Sequence, residues 1–366
     1  MDDSEHGMAE EKVTIKRYYL ESTSDAKNTW TEDTTYTGPV CITDSQGDYL
    51  FDKLDSYIYK DGKEYLDIFP LWDWRKLPGV TAFEDNAPMP LIKSYQPRNK
   101  GTFVGAVSDE KQGMTVMELD RAGVKAHKAW VCTDDFILCL GAGIQADSNL
   151  VVTTSIEQCH KNGELLSCEN ARWNVVNTKQ SAKGKEQRYF HNNTGYIVWG
   201  NTHEVVAETA ERTGSWHDVM QMYHPEETHG EVTAIYLTHG VAPKQGTYQY
   251  LILPEMDKKN VAAFNLSDIR ILRNDATVQA VYSEGNTTCW VAAYQPVQLT
   301  VSTDLILNIQ TPGIYMIRKN ESGRYVINYA DPTQQRNVAE LELNYKKVRL
   351  SLPEGKEKGK TTSIVG

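Results

Sequence analysis

The most informative stretch of this chain spans residues 68–81 and reads IFPLWDWRKLPGVT. Two tryptophans flank an aspartate there, and a basic pair leads straight into Pro-Gly. In an extended strand, Trp72 and Trp74 would share one face. Asp73 and Arg75 would then share the opposite face. The pattern therefore fits either a strand end whose tryptophans belong to the core, or a surface that binds a sugar through aromatic rings and charged groups.

The composition indicates a large acidic protein. The chain has 366 residues, enough for about two domains, with 38 basic and 49 acidic side chains and a formal net charge of -11. This excess argues against a general attraction to nucleic acid or to an anionic membrane, although a local basic patch can bind an acidic polymer. No apolar run reaches the roughly 18 residues that a membrane span needs. The N-terminal MDDSEHGMAEEK lacks the basic start and apolar core of a secretory signal.

Short apolar blocks, alternating or continuous, are separated by turn residues along most of the chain, which predicts β-strands. The predicted strands of the first part are 48–60, 64–70, 114–119, 128–133, 136–140, 150–157, 196–199, 232–238 and 248–253. Those of the second part are 278–283, 288–294, 298–307, 313–319 and 324–329. Gly141 and Gly143 are interpreted as turn residues, because no third glycine and no helix follow to make a phosphate-binding loop.

Convincing helices are few, and only residues 266–271 suggest a short turn or helix. Because strands do not alternate with helices, a doubly wound nucleotide-binding fold is disfavoured and packed antiparallel sheets are expected. The predicted fold class is all-β, with a large antiparallel assembly followed by a small β-sandwich. The boundary is placed after Asp257, which gives domains 1–257 and 258–366, with residues 1–12 expected to be disordered.

Cysteine and acidic residues suggest two further features. None of the six cysteines forms a CxxC pair, so a zinc site has little support. Cys159 and Cys168 flank a turn-like segment, and are either joined by a disulfide across a hairpin or two buried thiols. The side chains of Asp73, Glu84 and Asp85 would offer hard oxygen ligands for calcium if the Pro-Gly turn brings them together.

Catalytic constellations are not evident from residue spacing. The chain has no GxSxG elbow and no HExxH motif. His217, His224, His229 and His239 match no standard metal spacing, so surface histidines are the expected interpretation. Tyr236 lies three residues before His239, which places the two on opposite faces of a continuing strand and favours a structural histidine.

Seven further motifs follow one another in order after the stretch 64–81. They read FVGAVS (103–108), AHKAW (126–130), DDFILCLGAGI (134–144), TTSIEQ (153–158), HGVAP (239–243), YQYLILP (248–254) and GIYMI (313–317). With the W-x-W-x-x-[LI]-P-G-T-T-like stretch, this series resembles polysaccharide lyase family 8, which includes hyaluronate, chondroitin and xanthan lyases. The resemblance covers residues 45–355.

The resemblance implies a domain set and a reaction. Family members combine an α/α toroid, a central β super-sandwich and a small C-terminal β-sandwich, and this chain resembles the last two. They cleave uronic-acid-containing chains by β-elimination, using an Asn, a His, a Tyr and an Arg of the toroid. No segment here corresponds to the toroid, so no catalytic residue is carried over and the chain is expected to be inactive alone. The implied partners are an acidic polysaccharide and a toroid domain, and the implied location is extracellular or periplasmic.

The expected substrate-binding residues are Trp72, Trp74 and Arg75, with no cofactor required and calcium as the one metal considered. Three positions depart from the family pattern. Residues 41–47 read CITDSQG where many members have an NGEN-like polar segment, Arg75 replaces an acidic residue, and Val80 replaces a threonine. Two alternatives remain open: a stand-alone carbohydrate-binding or subunit-interaction module, and a sugar-modifying enzyme of a related sandwich fold with its own acid/base pair.

Overall fold

A computed structural model describes residues 39–42, 55–58, 63–84, 99–170, 172–200, 203–219 and 222–365. The strands of the first domain are β1 (Pro39–Ile42), β2 (Asp55–Ile58), β3 (Thr81–Glu84), β4 (Val104–Ser108), β5 (Gly113–Arg121), β6 (Val124–Cys132), β7 (Ile137–Ala146), β8 (Val151–His160), β9 (Leu166–Glu169), β10 (Arg172–Val175), β11 (Gln180–Lys183), β12 (Glu186–His191), β13 (Thr194–Trp199), β14 (Glu204–Ser215), β15 (Glu227–Val241) and β16 (Gly246–Leu253). The strands of the second domain are β17 (Ile269–Asn274), β18 (Val278–Ser283), β19 (Thr288–Ala293), β20 (Val297–Ser302), β21 (Leu305–Ile309), β22 (Gly313–Lys319), β23 (Tyr325–Ala330), β24 (Val338–Leu343), β25 (Lys346–Ser351) and β26 (Thr362–Val365).

Helices are short wherever the structure describes the chain. The α-helices are α1 (Trp216–Val219) and α2 (Lys258–Ala263), and the 3-10 helices are Phe69–Leu71, Leu266–Asp268 and Gly355–Glu357. None of the helices in these ranges is long and apolar enough to cross a membrane. The predicted all-β class is therefore confirmed.

Two large antiparallel sheets form the first domain. A nine-stranded sheet has the order β10-β9-β12-β13-β16-β7-β6-β5-β4, and a five-stranded sheet has the order β11-β14-β15-β8-β3. A shared core lies between them, where Trp130 and Tyr250 of the larger sheet meet Ile156 and Ile235 of the smaller one. A separate two-stranded sheet pairs β1 with β2.

The second domain covers the other face of the nine-stranded sheet. Its six-stranded sheet, β17-β18-β19-β22-β23-β26, packs Trp290 and Met316 against Val116 and Leu138. A four-stranded sheet, β20-β21-β24-β25, closes the small sandwich over a third core. The nine-stranded sheet is thus buried on both faces, which explains why the block ILCL at 137–140 is continuously apolar. The predicted boundary after Asp257 falls between β16 and β17.

The structure corrects two predictions of local structure and tests a third only in part. Residues 64–70 form turns and a 3-10 helix instead of a strand. The predicted strand 298–307 is a hairpin of two strands, β20 and β21. Of the predicted strand 48–60, β2 accounts for 55–58, and the remainder lies outside the described residues, as do residues 1–12.

The interpretation of Gly141 as a turn residue is also wrong. β7 continues through it, and its absent side chain makes room for the Tyr248 ring from β16. A Cβ on Gly141 would lie 2.0 Å from that ring. The glycine therefore serves a close cross-strand contact.

Cys159 and Cys168 do not face each other across a hairpin. Cys159 lies in β8 of the five-stranded sheet as a free, buried thiol, and Cys168 lies in β9 of the nine-stranded sheet. Of the two alternatives, the disulfide is excluded because the chain changes sheets between the two positions, and both residues are thiols.

Candidate functional site

The stretch 68–80, called the aromatic loop below, lies on the outer face of the five-stranded sheet, where its 3-10 helix contacts β14 and β15. Its end reaches the nine-stranded sheet, because Lys128 Nζ of β6 donates to the Gly79 carbonyl. The loop begins with the 3-10 helix Phe69–Leu71, passes through turns and enters β3 at Thr81. Backbone hydrogen bonds of 2.8 Å close these turns, one from Leu71 to Ile68 and one from Lys76 to Asp73. The alternating strand faces predicted for the two tryptophans are therefore wrong.

A glycine in β14 allows the loop to approach the sheet. A Cβ on Gly214 would lie 1.8 Å from the carbonyl oxygen of Pro70. Any side chain at this position would push the 3-10 helix away from the sheet, so the small residue fixes where the loop sits.

Side chains of β8 hold the loop backbone. Oε1 of Gln158 accepts the Asp73 backbone N–H at 2.8 Å, and its Nε2 donates to the carbonyls of Asp73 at 3.0 Å and Lys76 at 2.8 Å. The Ser155 hydroxyl donates to the Lys76 carbonyl at 2.8 Å. Trp72 Nε1 donates to the Gln158 carbonyl at 3.3 Å. The Asp73 N–H and the Lys76 carbonyl thereby gain partners that the turns do not supply, and the Asp73 carbonyl gains a second one, so the loop is pre-formed.

The loop contributes to a continuous set of aromatic contacts. Phe69 packs on Trp72 with ring centroids 4.8 Å apart and on Trp74 at 5.4 Å. It also meets Trp216 at 5.8 Å, and Trp216 meets Tyr223 at 5.7 Å. The last two residues flank the tip of the β14–β15 hairpin. We call Phe69, Trp74, Trp216 and Tyr223 the aromatic surface.

Sequence reasoning did not identify Trp216 and Tyr223. Only the pairing of β14 with β15 brings them beside the loop, and β14 itself was not predicted. Tyr223 is 49% exposed, whereas Trp74 and Trp216 are half-buried. The aromatic surface thus offers ring area to a ligand from two separate segments of the chain.

The three predicted substrate-binding residues differ in position. Trp72 is only 7% exposed and stacks on both Tyr57 and Phe69, so packing is its role in this structure. Trp74 is half-buried, and its Nε1 donates to the Phe69 carbonyl at 3.2 Å. Arg75 is also half-buried, with its backbone N–H donating to Asp73 Oδ1 at 3.0 Å. Contact of any of them with a substrate stays a prediction.

An ionic cluster closes the loop against β3. Lys76 Nζ lies 2.7 Å from Asp73 Oδ2 and 3.0 Å from Glu84 Oε1, and 4.9 Å from the centroid of the Tyr236 ring. Burial alone would raise the pKa of Asp73, but the hydrogen bond and charge of Lys76 hold that pKa below its ordinary value. Burial would lower the pKa of Lys76, and its two carboxylate partners raise it instead. Asp73 and Lys76 are therefore both charged at neutral pH.

The predicted calcium ligands are only partly placed. Asp73 and Glu84 both contact the Lys76 ammonium, which lies between them, and Asp85 lies outside the described residues. In the part of the chain that the structure describes, no group of three or more His, Cys, Asp or Glu side chains is arranged to hold a metal ion. Calcium binding stays a prediction. The Lys76 ammonium competes with a calcium ion for the carboxylates of Asp73 and Glu84.

A buried carboxyl group lies behind the loop. Glu157 Oε1 accepts from the Tyr65 hydroxyl at 2.8 Å, and its Oε2 accepts from the Tyr196 hydroxyl at 2.9 Å. Its Oε1 also accepts the Gln158 backbone N–H at 2.9 Å. Burial raises the pKa of Glu157 to about 7, although these three hydrogen bonds act in the opposite direction. The group joins the segment before the loop to both sheets.

Histidines do not assemble into a metal site among the described residues. His229 bonds to Thr213, and His217 bonds to the Tyr223 carbonyl. His239 Nε2 lies 2.7 Å from the Thr154 hydroxyl, and burial lowers its pKa to about 3. Because its ring is 6.0 Å from that of core residue Tyr248, it faces the inner core, opposite Tyr236, as the spacing predicts. The interpretation of His239 as a surface histidine is therefore wrong.

Fold and site together define a β super-sandwich protein with an aromatic, charged loop on its outer face. The model of the polysaccharide lyase family 8 super-sandwich domain matches residues 55–265, and that of the C-terminal β-sandwich domain of the same family matches residues 270–340. The chain belongs to polysaccharide lyase family 8.

Characterised relatives include lyases of several substrates. The chain is 28% identical over 325 residues to chondroitinase-AC of Pedobacter heparinus, which covers 87% of this chain and 46% of the relative. It is 26% identical over 300 residues to the hyaluronate lyase of Thermasporomyces composti, covering 78% and 36%. The chain thus spans less than half the length of these relatives.

Solved structures show the same architecture. A structure of chondroitinase AC lyase from a study of its oligosaccharide complexes superposes with a TM-score of 0.78 at 27% identity, covering 85% of this chain and 46% of that one. A Paenibacillus xanthan lyase superposes with a TM-score of 0.74 at 20% identity, covering 85% and 32%, which shows the fold alone.

Proposed function

We propose that this chain is the β-domain part of a lyase acting on uronic-acid-containing polysaccharides, such as glycosaminoglycans or xanthan-like polymers. Family membership and the names of the relatives support the class of substrate. The observation that carries the assignment of a role is the aromatic surface, beside which Arg75 is half-buried. Rings that stack on sugars and charges that orient hydroxyls and carboxylates are the groups a polysaccharide wall needs.

In the proposed division of labour, the β domains position the polymer and an α/α toroid performs the elimination. β-Elimination needs a group to neutralise the uronate carboxylate, a base to remove the C5 proton and an acid for the departing glycosidic oxygen. The described helices α1 and α2, of four and six residues, cannot form a toroid. Each described tyrosine whose pKa departs from its usual value has it raised, mainly by burial, which opposes a role as proton acceptor.

Turnover assays test this division. The purified chain is mixed with hyaluronan, chondroitin sulfates and xanthan, with and without calcium, and the ultraviolet absorbance of the unsaturated uronate product is followed. A flat signal from protein shown to be folded by circular dichroism is expected. A rising signal would mean that a catalytic set lies within this chain, and the proposed division would be wrong.

A second candidate is a stand-alone module that binds carbohydrate without cleaving it. The half-buried rings of Trp74 and Trp216 favour it, because they leave ring area accessible. Saturable binding of an acidic glycan, with no product in the presence of an added family toroid, would support this candidate. Restoration of turnover by the toroid would support the lyase part instead.

By the same resemblance we propose an extracellular or periplasmic location. Fractionation of cells that express the gene from its native locus, followed by immunoblotting, tests it. Recovery of the protein only with cytosolic markers would contradict the proposal.

A further inference from the structure

The Lys76 ammonium lies in a nearly closed anionic cage. Asp73 contributes from the aromatic loop and Glu84 from β3, at 2.7 and 3.0 Å. The Tyr236 ring forms a third wall at 4.9 Å, a favourable distance for a cation over an aromatic face. The Lys76 side chain is only 9% exposed. The ammonium thus satisfies two carboxylates from separate segments at once.

A divalent cation and this ammonium exclude each other. Calcium binds carboxylate oxygens at about 2.3–2.6 Å and requires about six to eight oxygen ligands. An ion bridging Asp73 and Glu84 would have to occupy the volume of Lys76 Nζ, and two cations within contact distance repel strongly. With the lysine in place, the two carboxylates are therefore closed to calcium.

We propose that Lys76 is a built-in cation that replaces a bound divalent metal at this position, so that the aromatic loop is fixed to β3 without calcium. The proposal disagrees with the calcium site expected from sequence, and it is independent of the proposed function. Its consequence is that the loop keeps its shape whatever the calcium concentration around the protein.

The loop backbone is held separately from the ammonium, which makes the proposal testable. Gln158 and Ser155 bind the backbone of Asp73 and Lys76 through hydrogen bonds that do not involve Nζ. In the Lys76→Ala variant, these bonds remain and keep the loop on the sheet. The variant is then a folded protein in which two carboxylates face a vacated volume and have lost their contacting cation, with Arg212 and Lys179 as the charged side chains that still act on them.

Thermal unfolding measures the effect. Wild-type protein should show the same Tm with calcium and with a chelator. Lys76→Ala should lower Tm by on the order of 5 °C, because a partly buried ion pair loses one partner. Calcium should then raise the Tm of the variant, and so should methylammonium, a small ion that restores the missing group. Isothermal titration should detect calcium binding to Lys76→Ala and none to wild type.

Two controls separate the cage from general charge effects. Lys161→Ala removes a lysine whose Nζ lies 2.7 Å from Glu231 in an exposed pair, and should change Tm little and show no rescue by either cation. Asp73→Asn combined with Lys76→Ala should abolish the rescue. A wild-type Tm that falls on chelation, or a Lys76→Ala variant that neither cation stabilises, would overturn the proposal.

Discussion

Gln158 and Asp73 are 85 residues apart in sequence and are joined by two hydrogen bonds, in which the amide of Gln158 accepts the Asp73 N–H at 2.8 Å and donates to the Asp73 carbonyl at 3.0 Å. The Gln158 amide thus bonds to both backbone groups of Asp73, as a residue of a neighbouring strand does in an antiparallel pair. It fixes the backbone between Trp72 and Trp74, so the direction of the Trp74 ring depends on β8.

Replacing Gln158 with alanine should therefore loosen the loop. The Asp73 N–H then loses its partner, whereas the Asp73 carbonyl keeps the Lys76 N–H and the Lys76 carbonyl keeps the Ser155 hydroxyl. We expect a loss of about 2–4 kcal/mol in the free energy of unfolding, measured by urea denaturation. Gln298→Ala, on an exposed position of β20, should cost less than about 0.5 kcal/mol. Equal effects of the two substitutions would show that the hydrogen bonds between Gln158 and the loop do not stabilise the fold.

Trp74→Ala tests the aromatic surface as a glycan platform. Loss of the ring should weaken binding of chondroitin sulfate or hyaluronan about tenfold, or roughly 1.4 kcal/mol, while Trp74→Phe should retain much of the affinity. Tyr345→Ala provides the comparison, because Tyr345 is 78% exposed but lies in the β24–β25 turn of the small sandwich. Affinity electrophoresis and calorimetry give the readout. Unchanged affinity in Trp74→Ala, or an equal loss in Tyr345→Ala, would exclude this surface.

Gly141→Ala tests the close contact in β7. The new methyl would lie 2.0 Å from the Tyr248 ring, so the ring has to leave a position in which it is fully buried. We expect destabilisation by about 2–4 kcal/mol in thermal or urea unfolding. Gly285→Ala, where no atom lies within 4 Å of the added Cβ, should have a much smaller effect. A neutral Gly141→Ala variant would mean that the ring has an alternative position.

The same glycine shows where sequence reasoning succeeded and where it failed. Strands such as 114–119 and 248–253 were predicted within β5 and β16, because alternating or continuous apolar residues report the burial of each face directly. Gly141 was taken for a turn because the need for it comes from Tyr248, 107 positions later. For the Trp-Asp-Trp segment the sequence leaves a strand end and a sugar-binding surface open, because alternation in three residues cannot distinguish a strand from turns held by a distant side chain such as Gln158.

The candidate site shows the same limit. Asp73 and Glu84 are expected to offer calcium ligands only if the Pro-Gly turn brings them together, and the cation that lies between them in the structure is the Lys76 ammonium of the chain itself. Lys76 was visible in the sequence, but its position depends on how the turns fold. Trp216 and Tyr223 lie in the site because β14 pairs with β15. The local pattern of apolar and polar residues does not predict which strands pair.

Glu157 should make stability depend on pH between its ordinary pKa and its pKa in the folded protein. Burial raises the pKa of Glu157 to about 7 in the folded state, whereas the unfolded chain has the ordinary value near 4.3. The folded state therefore holds a proton that the unfolded state has released, and stability falls as pH rises through this window. Below the unfolded pKa the contribution is fully present, and above pH 7 it is lost. The total change is about 3 kcal/mol.

Glu157→Gln removes this titration and keeps an acceptor for Tyr65 or Tyr196. The difference in unfolding free energy between wild type and Glu157→Gln should therefore drift with pH between about 4.5 and 7, with wild type losing stability relative to the variant. The comparison matters because His191 acts in the opposite sense: burial lowers its pKa to about 4, so its contribution grows as pH rises, and it cancels in the difference. Glu340→Gln, an exposed substitution in β24, should give a difference that does not change with pH. Parallel pH profiles for wild type and Glu157→Gln would mean that Glu157 keeps its ordinary pKa, and that the two tyrosine hydroxyls stabilise a buried carboxylate.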